Sequence, residues 1–171
     1  MTWPVNVTFT LVDFETTGLH PEGNDRVIEF AYLMIRDGQI IETGQSLVNP
    51  KGQIISPGAF ATHGISEMML VNQPTFEHAA GNLWNAINGN VFVAHNAYFD
   101  LKCFVHECKK VGWKVPEFIA IDTLKIARKV WNSPNYRLAT LAHAVGHSTD
   151  NAHRAMADVE MMASVMNSIF R

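Results

Sequence analysis

The sequence predicts an α/β layer fold, a mixed β-sheet flanked by helices, as a single domain over residues 1–171. Three observations carry this. β-rich apolar runs fill the first fifty residues, and from Thr75 onward helical periodicity alternates with short buried strands. The 171 residues are 47% hydrophobic and 17% charged, enough apolar side chains to bury a sizeable core.

The elements follow in order. Thr8–Glu15 is a β-rich apolar run, the first strand. Arg26–Arg36 and Gln39–Val48 flank Asp37-Gly38, the strongest short hairpin signal, so these two strands pair antiparallel. Asn49–Gly58 contains Pro50, Gly52, Pro57 and Gly58 and reads as loop. Thr75 suits a helix N-cap, and Phe76, Ala79, Ala80, Leu83, Trp84 and Ile87 follow at helical spacing until Gly89. Val91–Ala94 is a short buried strand. Leu101, Phe104, Val105, Cys108 and Val111 form the next apolar stripe, stopped by Gly112. Phe118–Ile121 is another short strand and Thr123–Trp131 a short helix. Leu138, Leu141, Ala142 and Val145 face one way before Gly146, and Ala155, Val159, Met162, Met166 and Ile169 form the last helical face. Three mainly antiparallel strands followed by alternating helices and short strands make a mixed sheet with parallel additions.

Composition excludes several classes. No apolar run approaches the ~20 residues of a membrane span, and Met1–Val7 has no basic or apolar leader region, so neither a membrane role nor a secretory signal is expected. Cys103 and Cys108 lie five apart in one helix, poor geometry for a disulfide, and read as buried thiols in a reducing compartment. A cytoplasmic location is the resulting expectation. The net charge of −3 hides an asymmetry. Residues 1–101 hold 3 Lys+Arg against 10 Asp+Glu, and residues 102–154 hold 9 against 4. Two readings stand: solvated helix faces, or a carboxylate-rich metal site beside a phosphate-contacting surface.

Asp13 and Glu15 are two apart at a strand end, so both side chains share one face. They are either solvated acids or a pair that a divalent cation would stabilise. Asp100 follows a buried strand and opens a helix, where it answers the helix dipole or joins a site. His95 and Asn96 sit at a strand's carboxyl end, where open α/β sheets bind ligands, although His95 equally suits a satisfied core position. His153 and Asp158 would lie ~140° apart on one helix, so they converge only if His153 precedes the helix. His143 and His147 lack the glutamate of a zinc-protease helix, and Gly146 breaks the segment.

Together these segments resemble the DEDDh 3′→5′ exonucleases, the family of bacterial polymerase-III proofreading subunits, exonuclease X, ribonuclease T and oligoribonuclease. The matching motifs are Val12–Leu19, Ala94–Asp100 and Asn151–Asp158. Asn49-Pro50, Ile55–Pro57, Thr62–Ser66 and Ile121–Thr123 match further landmarks. The resemblance covers about residue 8 to the C-terminus and implies a ribonuclease-H-like fold. It implies that Asp13, Glu15, Asp100 and Asp158 hold two divalent cations, Mg²⁺ or Mn²⁺, and that His153 is the general base. The implied reaction releases nucleoside 5′-monophosphates from single-stranded or frayed 3′ ends. By the same resemblance the backbone of Thr16, Thr17, Gly18 and Leu19 approaches the terminal nucleotide, with Gly18 permitting closeness and Leu19 acting as an apolar wedge. His63 and Asn96 are further expected substrate contacts, and Tyr98 and Phe99 either stack on bases or pack in the core. Lys109–Lys129 could track phosphates.

Gly58 stands where some proofreading subunits carry a substrate-contacting glutamate, so that contact is not expected. The chain ends after its last helix, without a polymerase-binding tail. The expectation is therefore a stand-alone or exonuclease-X-like enzyme, or a domain cut from a longer protein. Some relatives bind a polymerase and others dimerise, and both partners stay open. The middle segment and Lys125-Ile126-Ala127-Arg128 look more like DNA-acting members, with RNA 3′ ends the alternative substrate. A binding module without activity should have lost a ligand, and none is missing.

Overall fold

The computed structural model describes residues 2–170. Its elements are β1 (Thr8–Thr16), β2 (Val27–Arg36), β3 (Gln39–Leu47), α1 (Pro57–His63), α2 (Glu67–Leu70), α3 (Phe76–Ala79) and α4 (Gly81–Ile87). Then come β4 (Val91–Ala94), α5 (Ala97–Lys110), β5 (Ile119–Asp122), α6 (Thr123–Val130), α7 (Leu138–Ala144) and α8 (Ala155–Ile169). The five strands form one sheet in the order β3-β2-β1-β4-β5. β1–β2 and β2–β3 pair antiparallel, and β1–β4 and β4–β5 pair parallel. This is the mixed sheet the sequence predicts.

The β2–β3 turn confirms its sequence signal. Asp37 and Gly38 both take positive φ, 51° and 75°, the backbone twist a two-residue hairpin needs. Elsewhere the structure is finer than the pattern. The expected helix from Thr75 divides at Ala80 (φ −94°, ψ 10°), just before the weak helix former Gly81. The predicted loop up to Gly58 gives way two residues early to α1, which Ser56 caps by accepting from the Ala59 N–H, with Pro57 in the first turn.

Alternation along β1 places the chemistry. Val12 and Phe14 point to one side of the sheet, where Leu83, Ile87, Phe92 and Phe104 bury them. Phe9 and Leu11 point to the other side and pack on Val159, Met162 and Met166 of α8. Asp13 and Glu15 continue the second face beyond Leu11, so the stripe changes from apolar to acidic at the end of the strand. Two ion pairs, each on a buried glutamate, pin the layers at this same end. The Arg26 guanidinium donates through two nitrogens to Glu107 of α5, at 2.8 Å each, and Glu107 also accepts from the Val27 N–H. Arg154, ahead of α8, pairs with Glu29 of β2. Cys103 and Cys108 are buried free thiols, as expected. Among the described residues no helix is long and apolar enough to cross a membrane.

Candidate active site

The acidic end of β1 meets the first turn of α8. Carboxylate oxygens of Asp13, Glu15 and Asp158 lie within 4.8 Å of one another. Asp100, 4% exposed in the first turn of α5, lies outside that group but near enough for its charge to act on Asp13 and Glu15. All four acids are held above the ordinary carboxylate range. For Asp13 burial is the largest cause, followed by the charges of Asp100, Asp158 and Glu15. Burial and then Asp158 and Glu29 push Glu15 up to about 8. Burial also raises Asp100 to about 8, against backbone hydrogen bonds at Phe14 and Asp100 that favour its charged form. Asp158 is raised by burial, opposed by the His153 backbone N–H and the His153 ring.

The cluster fits a cation on an independent ground. Asp13 Oδ2 is buried and has no hydrogen-bond partner. A buried carboxylate oxygen left this way costs free energy unless a cation or proton meets it. Hard oxygen donors of this kind suit Mg²⁺ or Mn²⁺. Asp13, Glu15 and Asp158 would hold the ions, with Asp100 beside them.

The raised values fix the sign of a pH effect. Without metal the folded protein binds protons at Glu15 and Asp100 that the unfolded chain has released above pH ~4.5. Their stabilising contribution is complete below that pH and disappears as pH rises through about 8. The melting temperature in a chelator is therefore expected to fall by at least ~5 °C between about pH 5.5 and about pH 8.5. Millimolar Mn²⁺ is expected to remove most of that fall in the same calorimetric scan, and a flat chelator profile would count against the repulsive cluster.

His153 sits in the turn before α8, as convergence requires. It is exposed, its backbone φ is +67°, and its N–H donates to Asp158 Oδ1 at 3.0 Å. The ring thus stands at the rim of the acids.

A cleft of about 270 Å³ opens beside Glu15, lined among others by Thr16, Gly18, Leu19, Gly58, His63 and Phe99. Leu19 is 78% exposed on its rim, an apolar side chain presented to solvent. Phe99 lines the cleft and also packs against the core, so both of its expected roles meet in one position. Tyr98 is exposed, with the Lys102 ammonium 4.5 Å from its ring centre. Gly58 leaves open space where a side chain would stand.

Several expected contacts are tied internally. Thr17 is fully buried: its N–H donates to Arg26 O, its carbonyl accepts from the Ser56 N–H, and its hydroxyl donates to Asp25. It lies outside the residues lining the cleft and offers the cleft no free backbone group. His63 accepts the Ile65 N–H at Nδ1, so Nε2 carries the proton and donates to Thr16 O. Burial lowers its pKa. Its nitrogens join α1 to β1, and only its ring face remains for a substrate. Asn96 takes φ +67°, and its N–H donates to Asp122 Oδ1. It stands near Asp100 but outside the residues lining the cleft. His95 takes the core reading, with Thr123 and the Tyr136 carbonyl as partners.

Gly18 lines the cleft and also answers a demand from within the fold. The expected reason for a glycine was nucleotide approach. The structure shows the Asp25 carboxylate 2.5 Å from where a Cβ would stand. Asp25 needs that closeness to accept from both Thr17 Oγ1 and the His20 N–H. Gly18→Ala is therefore expected to cost ~1–2 kcal/mol, a ~3–6 °C lower melting temperature. An unchanged melting temperature would show that Asp25 is not constrained.

Glu29 and Arg154 escaped sequence reasoning as site residues. The available signal was an acid inside the otherwise apolar run Val27–Ile35.

The sequence profile of the exonuclease family RNase_T matches residues 10–166. The chain is 34% identical over 164 residues to the 3′-5′ exonuclease DinG of Bacillus subtilis strain 168, covering 94% of this chain and 17% of that protein. It is 32% identical over 163 residues to the PolC-type DNA polymerase III of Thermotoga petrophila, covering 94% of this chain and 12% of that protein. It thus spans less than a fifth of the length of these curated relatives. Exonuclease X in complex with 5′-overhanging duplex DNA superposes with a TM-score of 0.73 at 27% identity, covering 94% of this chain and 90% of that chain.

Proposed function

The chain belongs to the exonuclease family, in the DEDDh branch that its four acids and histidine match, and from that footing we propose its reaction. It hydrolyses phosphodiester bonds one nucleotide at a time from the 3′ ends of DNA and releases nucleoside 5′-monophosphates. Asp13, Glu15, Asp100 and Asp158 hold two divalent cations, and His153 is the general base. The observation that carries this reading is the convergence of three carboxylates within 4.8 Å, one of them with an unpartnered buried oxygen.

When bound, the cations lower the pKa of a water and balance charge on the phosphate and the departing 3′-oxygen. The protein supplies the rest. Burial keeps the acids in a low-dielectric setting where their pull on a cation is strong. His153, outside that cluster but tied to it through Asp158, takes the proton from the attacking water. Leu19 and Phe99 give apolar surface to the terminal bases, and Ser56, Gly58 and Thr62 line the same cleft. A second basin of about 310 Å³ is lined by Arg26, Lys51, Gln53 and Lys110, but Arg26 is paired with Glu107 and Lys51 with Glu77, so of these cations only Lys110, which reaches the Gly23 and Asp25 carbonyls, has no acid partner. The DNA held by exonuclease X favours DNA over RNA as the substrate.

The test is digestion of 5′-labelled DNA and RNA single strands of equal sequence, with Mg²⁺ and then Mn²⁺. A ladder shortening from the 3′ end on DNA is expected, lost in a chelator. A ladder mainly on RNA would move the substrate to RNA with the same residues. No ladder with either metal would overturn the reading.

A further inference from the structure

β2 is apolar along both faces as far as Ile35 except at Glu29, which is 4% exposed and sits opposite Glu15 in the β1–β2 register. Its carboxylate is fully engaged. Arg154 Nε donates to Oε1 and Oε2 at 3.2 and 3.1 Å, and Arg154 Nη2 donates to Oε1 at 2.7 Å. The Ala155 N–H donates to Oε2 at 3.1 Å. Both donors follow His153 directly in the chain.

His153 needs such bracing. A left-handed backbone at a non-glycine residue costs ~1–2 kcal/mol and persists only where its neighbours over-determine it. On one side the His153 N–H is held by Asp158. On the other, residues 154 and 155 are clamped to Glu29. Glu15 and Glu29 are register partners, so one strand pair sets both the acid cluster and the anchor of the histidine turn. Two of the guanidinium's three nitrogens point at Glu29, so Arg154 is committed to the protein rather than to a phosphate.

We propose that Glu29 and Arg154 are positioning residues that hold the His153 turn, and so its ring, against the carboxylate cluster. This rests on the reading of His153 as general base.

The test uses Glu29→Gln, which keeps the shape and removes the charge, and Arg154→Lys, each alone and combined with His153→Ala. Activity is read as kcat and KM on a single-stranded oligonucleotide with Mg²⁺. Mn²⁺ affinity is read by calorimetry, and amide exchange is followed at His153–Ala155. Glu29→Gln is expected to lower kcat ~10–100-fold, with KM and Mn²⁺ affinity within ~3-fold of the wild type. Exchange at His153–Ala155 is expected to quicken at least ~10-fold. On the His153→Ala background the same change is expected to cost less than ~2-fold, because the group it positions is gone. Arg154→Lys is expected to behave like Glu29→Gln, since an ammonium cannot span both oxygens. A loss that multiplies with His153→Ala, one that shows in KM or Mn²⁺ affinity, or a kcat equal to the wild type would overturn the proposal. A wild type without hydrolysis, or a His153→Ala protein with full activity, would overturn the function instead, and the exchange measurement would still decide whether Glu29 holds the turn.

Discussion

Replacing Asp13 with Asn is expected to cut hydrolysis at least ~1000-fold while raising the melting temperature of the metal-free protein at pH ~8 by about 3–6 °C. The two halves have one cause. Asp13 is half-buried beside Glu15, Asp100 and Asp158, and its buried, unpartnered oxygen gains nothing from the protein itself. A neutral side chain relieves desolvation and like-charge repulsion, so the fold gains. The same change takes a charged ligand from a cation, so the activity falls. Mn²⁺, which should stabilise the wild type at pH ~8, is expected to stabilise the variant far less. Kinetics and calorimetry on the same preparations check this. A variant that loses stability and activity together would mark Asp13 as a structural acid.

His153→Ala is expected to lower kcat ~100–10,000-fold and to leave the melting temperature and Mn²⁺ affinity nearly unchanged. The ring is exposed, so no core is lost, and its contact with Asp158 is made by the backbone N–H, which alanine keeps. Residual activity should rise with pH, because hydroxide needs no base. Alanine is also less tolerant of φ +67° than histidine, so His153→Asn, which favours that conformation, is the control for backbone effects. If the alanine variant retained full kcat, water activation would not pass through His153.

Much of this was legible in the residues. The face shared by Asp13 and Glu15 follows from strand alternation, and the structure places it against α8. The need for His153 to precede the helix follows from helical rotation, and it does. What escaped depends on contacts far apart in sequence. The pairs Glu29–Arg154 and Arg26–Glu107 join residues 125 and 81 positions apart, and no local pattern announces them. Thr17 and His63 sit in motifs that look substrate-facing. Their polar groups are instead used by Arg26, Ser56, Asp25, Ile65 and the Thr16 carbonyl, a matter of packing that spacing does not encode. Gly18 is legible as a place of close approach but not as the seat of the Asp25 carboxylate. The α3/α4 break is similar: the apolar spacing runs through Ala80, and only the backbone shows the interruption.

The most direct measurement is a calorimetric titration of the metal-free protein with Mn²⁺ near pH 7, in the presence of a nucleoside 5′-monophosphate. Repeating it in two buffers of different ionisation enthalpy counts protons. The expected result is two ions per chain with net proton release on binding, because Glu15 and Asp100, held near 8 without metal, must ionise to accept them. Asp13→Asn should weaken or abolish that binding. Binding of fewer than one ion per chain, or binding without proton release, would contradict a buried carboxylate cluster built to hold divalent cations.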